Sequence, residues 1–175
     1  MKRTCRHPRL LALAVTSVGI LLDQLTKLLV SGGMALGDTI PIIKDVLHIT
    51  YVRNTGAAFG MLADHRWVFL AVSTVTILAL AVFLLRTASR DPLLIASVSM
   101  VLSGGIGNMI DRLALGYVVD FIDFRLINFA VFNGADSFVC VGAALLFLAV
   151  LLEPKKKEEP AAEDEPQAED DGRDA

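Results

Sequence analysis

Four long apolar segments constrain the fold of this 175-residue chain more than any other feature. The first is 21 residues long, which is about 31 Å as an α-helix and enough to cross a hydrocarbon core of roughly 30 Å. The fourth has 16 residues and is expected to begin slightly earlier, near Phe132. A mean hydropathy of +0.60 is too high for an ordinary soluble domain of this size. The sequence therefore predicts a mainly α membrane protein with four transmembrane helices, at residues 10–30, 67–85, 93–110 and 137–152.

Charge divides the chain into two parts. Residues 153–175 contain ten acidic and four basic residues and almost no apolar ones. Such a segment cannot bury a core, so we expect a disordered acidic tail in the cytoplasm. Residues 1–152 carry a net charge of +3 and are expected to form a single membrane domain.

The basic residues predict the orientation of the four spans. Nine lysines and arginines flank the spans on the side of the two termini, against five in the loops on the other side. By the positive-inside rule both termini are cytoplasmic, and residues 31–66 and 111–131 lie on the outer face. The basic start followed by an apolar segment would also fit a cleavable signal peptide. The length of that segment and the three further spans favour a retained helix.

The first outer loop contains strand-forming residues. Residues 40–52 are rich in β-branched and aromatic side chains, which indicates one or two short strands. The small residues at 54–60 suit a tight bend and a close backbone approach. We therefore expect a small β-sheet on the outer bilayer surface, together with a short outer loop or helix.

Asp120 and Asp136 bracket the second outer loop, where the chain leaves and re-enters the membrane. An ionisable residue at membrane depth is costly, which makes each a candidate functional residue. Two carboxylates that meet at one site can share a proton and activate a water molecule. The alternative is a loop carboxylate or a helix N-cap, and Asp136 would cap a helix beginning at Ser137. Asp123 is interpreted as a solvated loop residue.

Other polar residues interrupt the apolar spans. Asp23 and Lys27 are four residues apart and share a helical face, so they form an internal ion pair, contribute to substrate binding, or both. The glycines of residues 104–107 favour close helix packing over phosphate binding, because no strand precedes them. Asn108, Asp111 and Arg112 follow at the outer boundary, where they could hold the next loop or contact substrate.

Metal and disulfide chemistry find no support in the sequence. Cys5 and Cys140 are the only cysteines, and the three histidines are scattered without zinc-type spacing. We expect no metal, no cofactor and no nucleic-acid partner.

Five sequence blocks, in order, resemble the motif blocks of lipoprotein signal peptidase, the bacterial signal peptidase II family. The blocks are DQLTK at 23–27, NTGAAFG at 54–60, GGIGNMIDR at 104–112, VVDF at 118–121 and FNGAD at 132–136. The resemblance covers about residues 9–152, and five ordered blocks on a four-span chain are highly specific. One departure is Gly134, where the family usually has a bulkier apolar residue. It affects local packing and neither carboxylate.

The resemblance implies an aspartic endopeptidase of the bacterial cytoplasmic (inner) membrane with an active site near the outer face. The family removes signal peptides from prolipoproteins, cutting N-terminal to a cysteine that carries a diacylglyceryl group. Its catalytic aspartates correspond to Asp120 and Asp136. A surface sheet and a mobile outer segment fit residues 40–59. The residues implied to support the site or meet substrate are Asp23, Lys27, Asn54, Gly56, Gly104, Asn108, Arg112 and Asn133. Implied partners are lipidated prolipoproteins, membrane lipid and globomycin-type peptide inhibitors.

Two other functions compete with this interpretation. A small proton- or ion-coupled carrier could use Asp23, Lys27 and the two later aspartates to pass protons. Carriers more often show inverted repeats and helices broken at the midplane, and no repeat is visible in this chain. A non-catalytic membrane scaffold is the third alternative, and it would tolerate replacement of both aspartates.

Overall fold

Four membrane-length helices dominate the computed structural model, which describes residues 4–56 and 66–152. They are α1 (Pro8–Gly33), α2 (Arg66–Arg86), α3 (Pro92–Ala114) and α4 (Gly134–Leu151). All four are long and apolar enough to cross a membrane, which confirms the predicted helical architecture. The acidic tail at 153–175 and residues 57–60 of the expected bend lie outside the described residues.

The helix bundle has polar and small residues inside and leucines outside. Helix α1 buries Gly19, Asp23 and Lys27. Its outward positions are exposed leucines such as Leu21 and Leu28. Helix α3 lies at the centre and packs against the three other helices, with serines and glycines on its buried faces. The small residues let the helix backbones approach closely. The exposed leucines fit a bundle that is surrounded by lipid rather than by water.

The starts of α3 and α4 are defined by side-chain caps. Asp91 caps α3 by accepting a hydrogen bond of 3.0 Å from the backbone N–H of Leu93. At α4 the N-cap is Asn133, and Asp136 is the third helical residue of a reciprocal capping box. The alternative that Asp136 itself is the N-cap is therefore wrong, because the helix begins at Gly134 rather than Ser137.

A three-stranded antiparallel sheet stands at the end of the bundle where α3 ends and α4 begins. Its strands are β1 (Thr39–Ile43), β2 (Leu47–Asn54) and β3 (Val118–Phe124), in the order β1-β2-β3. The small sheet was expected, and β1 and β2 overlap residues 40–52, the segment predicted to form strands. Strand β3 was not predicted, because its two aspartates interrupt the apolar pattern. A short 3₁₀ helix, Arg125–Ile127, follows it.

The interpretation of Asp123 as a solvated loop residue is wrong. Asp123 lies in β3, and its side chain is only 13% exposed. Its Oδ2 accepts hydrogen bonds from the Thr50 hydroxyl at 2.7 Å and from Arg125 Nε at 3.0 Å. Burial opposes ionisation, but these bonds and the Arg125 charge outweigh it and hold the pKa of Asp123 below its usual value. Asp123 therefore helps to join β2 to β3.

Close approach of α3 and α4 depends on Gly104. A Cβ atom at Gly104 would overlap the carbonyl oxygen of Ala135 and lie 2.7 Å from Val139 Cγ2. At the neighbouring Gly105, Ile77 is the one residue in the described part of the chain that such a Cβ would meet, with Cγ1 at 3.4 Å and Cδ1 at 3.8 Å. The packing role expected for these glycines thus falls on Gly104, directly beside the first turn of α4, and on Gly107, where a Cβ would overlap the carboxylate of Asp23.

We expect Gly104→Ala to destabilise the protein by roughly 1–3 kcal/mol, because overpacking must push α4 away from α3. Gly105→Ala is the matched control and should stay close to the wild type, since the flexible end of Ile77 can move. Thermal unfolding in one detergent measures both variants. Equal unfolding temperatures for the two would contradict this account of the α3–α4 contact.

Candidate active site

A cavity of about 490 Å³ lies at the sheet end of the bundle. Strands β2 and β3 and helices α2, α3 and α4 all contribute side chains to it. Aromatic and apolar groups form much of its wall, including Phe69 and Phe129. The predicted site residues that line it are Asn54, Gly56, Asn108, Arg112, Asp120 and Asp136. Both carboxylates of the expected pair therefore face one cavity.

Asp120 projects from β3 and is 2% exposed. Its Oδ2 accepts a hydrogen bond of 2.9 Å from Asn54 Nδ2, and its Oδ1 accepts one of 2.7 Å from Asn133 Nδ2. Burial raises the pKa of Asp120 to about 6; the charge of Asp136 adds to that rise, whereas the two amide bonds oppose it. Asp120 therefore retains its proton to higher pH than an ordinary aspartate does.

Asp136 is held in the same manner at the start of α4. Its Oδ1 accepts a hydrogen bond of 2.7 Å from Asn108 Nδ2, and its Oδ2 accepts one of 3.2 Å from the backbone N–H of Asn133. Each of the four carboxylate oxygens of the pair thus has an amide donor. Amide donors fix the orientation of both groups and leave lone pairs for a water molecule or a proton.

The amides of Asn108 and Asn133 connect the two carboxylates. Asn108 Oδ1 accepts hydrogen bonds from Lys27 Nζ at 3.0 Å and from Asn133 Nδ2 at 3.1 Å. With its oxygen turned toward these donors, the Asn108 amide can only present its NH₂ group to Asp136. Lys27 therefore acts on Asp136 through the orientation of Asn108.

A buried ionic cluster of Asp23, Lys27 and Asp111 lies behind these amides. Lys27 Nζ is 2.9 Å from Asp23 Oδ2 and 3.0 Å from Asp111 Oδ2, and all three residues are almost fully buried. Gln24 Nε2 donates to Asp111 Oδ1 at 3.0 Å and to Asp23 Oδ2 at 3.2 Å. The ion pair expected within the first span is present and includes a third charged partner.

The two acids of this cluster hold the backbone next to the carboxylate pair. Asp23 Oδ1 accepts a hydrogen bond of 2.8 Å from the N–H of Ala135, the residue before Asp136. Asp111 Oδ2 accepts one of 3.1 Å from the N–H of Val119, the residue before Asp120. A single lysine thus forms ion pairs with two acids, and each of these acids positions one member of the carboxylate pair.

Arg112 and Gly56 connect the sheet to α3 at the cavity wall. Arg112 Nη2 donates to the carbonyl oxygen of Gly56 at 3.4 Å, and its guanidinium lies 5.0 Å from the ring centroid of Phe69. The backbone N–H of Gly56 donates to Asn54 Oδ1 at 2.9 Å. This contact orients the amide of Asn54 so that its NH₂ group faces Asp120.

Four of the predicted residues, namely Asp23, Lys27, Gly104 and Asn133, do not line the cavity but lie behind it. Sequence reasoning missed Gln24, and it named Asp111 as a residue that could hold the next loop or contact substrate without including it in the final set of site residues. A signal existed for both, because Gln24 precedes Lys27 by three residues on one helical face and Asp111 places a charge at the end of an apolar span. Phe69 and Phe129 could not be recognised as cavity residues from the sequence, because apolar residues are common throughout this chain.

The fold and the paired carboxylates define the class of protein: a multi-pass membrane protein with a two-aspartate site at one end of its helix bundle. The family model described as signal peptidase (SPase) II matches residues 15–152. The chain therefore belongs to the signal peptidase II family.

Individual relatives and solved structures agree with this assignment. The chain is 45% identical over 142 residues to a lipoprotein signal peptidase of Brevibacillus brevis, covering 81% of this chain and 95% of that protein. It is 45% identical over 139 residues to the lipoprotein signal peptidase of Bacillus subtilis, covering 78% and 90%. A solved bacterial membrane enzyme superposes with a TM-score of 0.79 at 31% identity, covering 91% of this chain and 99% of that one.

Proposed function

We propose that this protein is an intramembrane aspartic endopeptidase that removes signal peptides from diacylglyceryl-modified prolipoproteins, with Asp120 and Asp136 as its catalytic pair. The observation that carries the proposal is the cavity wall shared by the buried Asp120 and the half-buried Asp136, whose four carboxylate oxygens each accept an amide hydrogen bond. A purely structural pair would have no need to face an open cavity.

Hydrolysis of a peptide bond needs a nucleophilic water and a proton for the leaving amine. Two close carboxylates do not both ionise cheaply, so the pair carries one proton. The ionised member removes a proton from the water, whose oxygen attacks the carbonyl carbon. The protonated member stabilises the developing oxyanion, and a proton then passes to the amine as the C–N bond breaks. The proton belongs to the pair rather than to either aspartate.

The cavity suits a substrate that is partly in lipid. Its aromatic and apolar walls can receive the residues around the scissile bond, while polar groups converge on one side. The signal peptide is an apolar helix, and the acyl chains of the lipidated cysteine stay in the bilayer between the spans. Cleavage N-terminal to that cysteine releases the signal peptide from the lipoprotein.

The direct test is incubation of the detergent-purified protein with a lipidated prolipoprotein and detection of signal-peptide release. The same precursor without its diacylglyceryl group should be cleaved far less, and a globomycin-type peptide should block cleavage of the lipidated form. Substrate that remains intact after prolonged incubation with folded protein would reject the proposed activity.

The proposed location is the bacterial cytoplasmic membrane, with both termini in the cytoplasm and the catalytic pair near the outer face. The nine-to-five distribution of basic residues supports this orientation. Topology reporters fused after Leu152 and inserted within residues 31–66 should report opposite sides of the membrane. Reporters on the same side would overturn the four-span orientation.

The hydrogen bond from Asn54 to Asp120 predicts the direction in which the pH dependence of cleavage should change when Asn54 is replaced. Its amide stabilises the ionised form of Asp120 and thus opposes the rise in the pKa of Asp120. We expect Asn54→Ala to raise that pKa further, so that the pair keeps its proton to higher pH. The alkaline limb of the cleavage-rate profile should move upward by about one to two pH units, since hydrogen bonds to charged groups contribute roughly 1.5–3 kcal/mol. Rates measured from pH 5 to 9 in both proteins test this, and a downward movement would contradict it.

A further inference from the structure

A second cavity, of about 550 Å³, lies at the opposite end of the bundle from the carboxylate pair. The segment before α1, the first turns of α1 and the link between α2 and α3 enclose it. Three exposed arginines line it: Arg6, Arg9 and Arg90. Nothing in the proposed peptidase chemistry uses this cavity.

The arginines of this cavity lack acidic partners in the described part of the chain. None of the three forms an ion pair there. Arg9 Nη2 makes one long hydrogen bond, of 3.5 Å, to the carbonyl oxygen of Leu85. The nearby carboxylate of Asp91 is engaged in capping α3. Three arginines against this one carboxylate leave the cavity with a net positive charge, which would favour an anion.

The inner part of the same cavity is apolar. Ala12, Leu84 and Ile95 line it and are buried. A second space of about 240 Å³ shares Arg9, Ala12 and Leu84 with it and continues toward Leu13 and Ala81 on the neighbouring helices. The three arginines thus lie next to an apolar groove between α1 and α2.

We propose that this combined site binds one anionic phospholipid, with its phosphate at Arg6, Arg9 and Arg90 and an acyl chain in the groove. Arginine is suited to phosphate by its planar donor geometry, and basic pockets between spans bind anionic head groups. The acidic segment at 153–175 has the complementary charge but almost no apolar residues, so it would leave the groove unfilled. A phospholipid supplies both the charge and the apolar chain.

The test uses the full-length protein reconstituted with equal amounts of phosphatidylglycerol and phosphatidylcholine of identical acyl chains. Native mass spectrometry then measures which lipid each protein retains. The wild type should retain phosphatidylglycerol preferentially. Arg9→Gln and Arg90→Gln should each lower that preference roughly fivefold, the equivalent of about 1 kcal/mol per basic residue near the surface.

Two further variants separate specific binding from general charge. Arg86→Gln removes a charge at the same end of the bundle but outside the cavity, and it should retain the wild-type preference. Ala81→Phe fills the groove without changing charge and should reduce retention of phosphatidylglycerol. Both results would support the combined site.

Four outcomes would overturn the proposal. Equal retention of the two lipids by the wild type would remove the anionic preference, and an equal loss in Arg86→Gln would reduce it to general charge. Unchanged retention in Ala81→Phe would mean that no acyl chain occupies the groove. If only a protein truncated after Leu152 retained phosphatidylglycerol, the acidic tail rather than a lipid would fill the cavity in the intact chain.

Discussion

Replacing either Asp120 or Asp136 by asparagine should reduce signal-peptide cleavage by at least about 10³-fold while leaving the fold intact. An asparagine keeps the shape of the side chain, but it can neither accept a proton from water nor pass one to the leaving amine. Because the two carboxylates share one proton, loss of either should be nearly as severe as loss of both. Single-turnover cleavage of a lipidated prolipoprotein measures the effect.

Substrate binding should persist in both variants, since the apolar walls of the cavity are unchanged. Asp45→Asn is a suitable control, because Asp45 is exposed and adopts a left-handed backbone conformation that asparagine tolerates. Asp123 is a poorer control, because its carboxylate joins two strands of the sheet. Wild-type turnover in either the Asp120 or the Asp136 variant would exclude that residue as catalytic.

The helical part of the fold could be predicted from sequence because each span carries its own signal. Membrane-crossing length and apolar composition are local properties, and residues 10–30, 67–85, 93–110 and 137–152 all lie within observed helices or at their ends. Strand β3 could not be predicted in this way. Its pairing with β2 depends on partners more than sixty residues away, such as Val52 opposite Asp120. Charges within the strand also hide its apolar alternation.

The candidate site was predictable as a set of residues but not as a network. Resemblance to the family's motif blocks, together with ionisable residues in or beside apolar segments, identified Asp120, Asp136, Asp23 and Lys27. Neither observation showed how these side chains contact one another. The connections pass through amides: Asn108 stands between Lys27 and Asp136, an arrangement that no spacing in the sequence reveals.

The polar network also lies at one end of the bundle, whereas a carrier would be expected to keep its site near the membrane midplane.

Lys27→Met should cost both stability and activity, and the two losses can be separated. Lys27 forms ion pairs with both Asp23 and Asp111 inside the bundle, so its loss leaves two buried carboxylates without a cation between them. Breaking a buried ion pair in this way costs about 3–5 kcal/mol. Adding Asp23→Asn restores the original sum of charges in the cluster and keeps an oxygen for the N–H of Ala135. The double variant should therefore recover most of the lost unfolding temperature.

Turnover in the double variant should nevertheless stay low. Without the Lys27 ammonium, Asn108 Oδ1 loses its charged donor and keeps the weaker, uncharged Asn133 amide, so the Asn108 amide can turn its oxygen toward Asp136 more easily. An oxygen facing that carboxylate repels its ionised form and disturbs the shared proton. Because Lys27 and Asp23 do not line the cavity, KM should change little while kcat falls. Thermal unfolding and steady-state cleavage, measured on the single and double variants side by side, test both parts. A double variant with normal stability and normal kcat would leave the ionic cluster with a structural role alone.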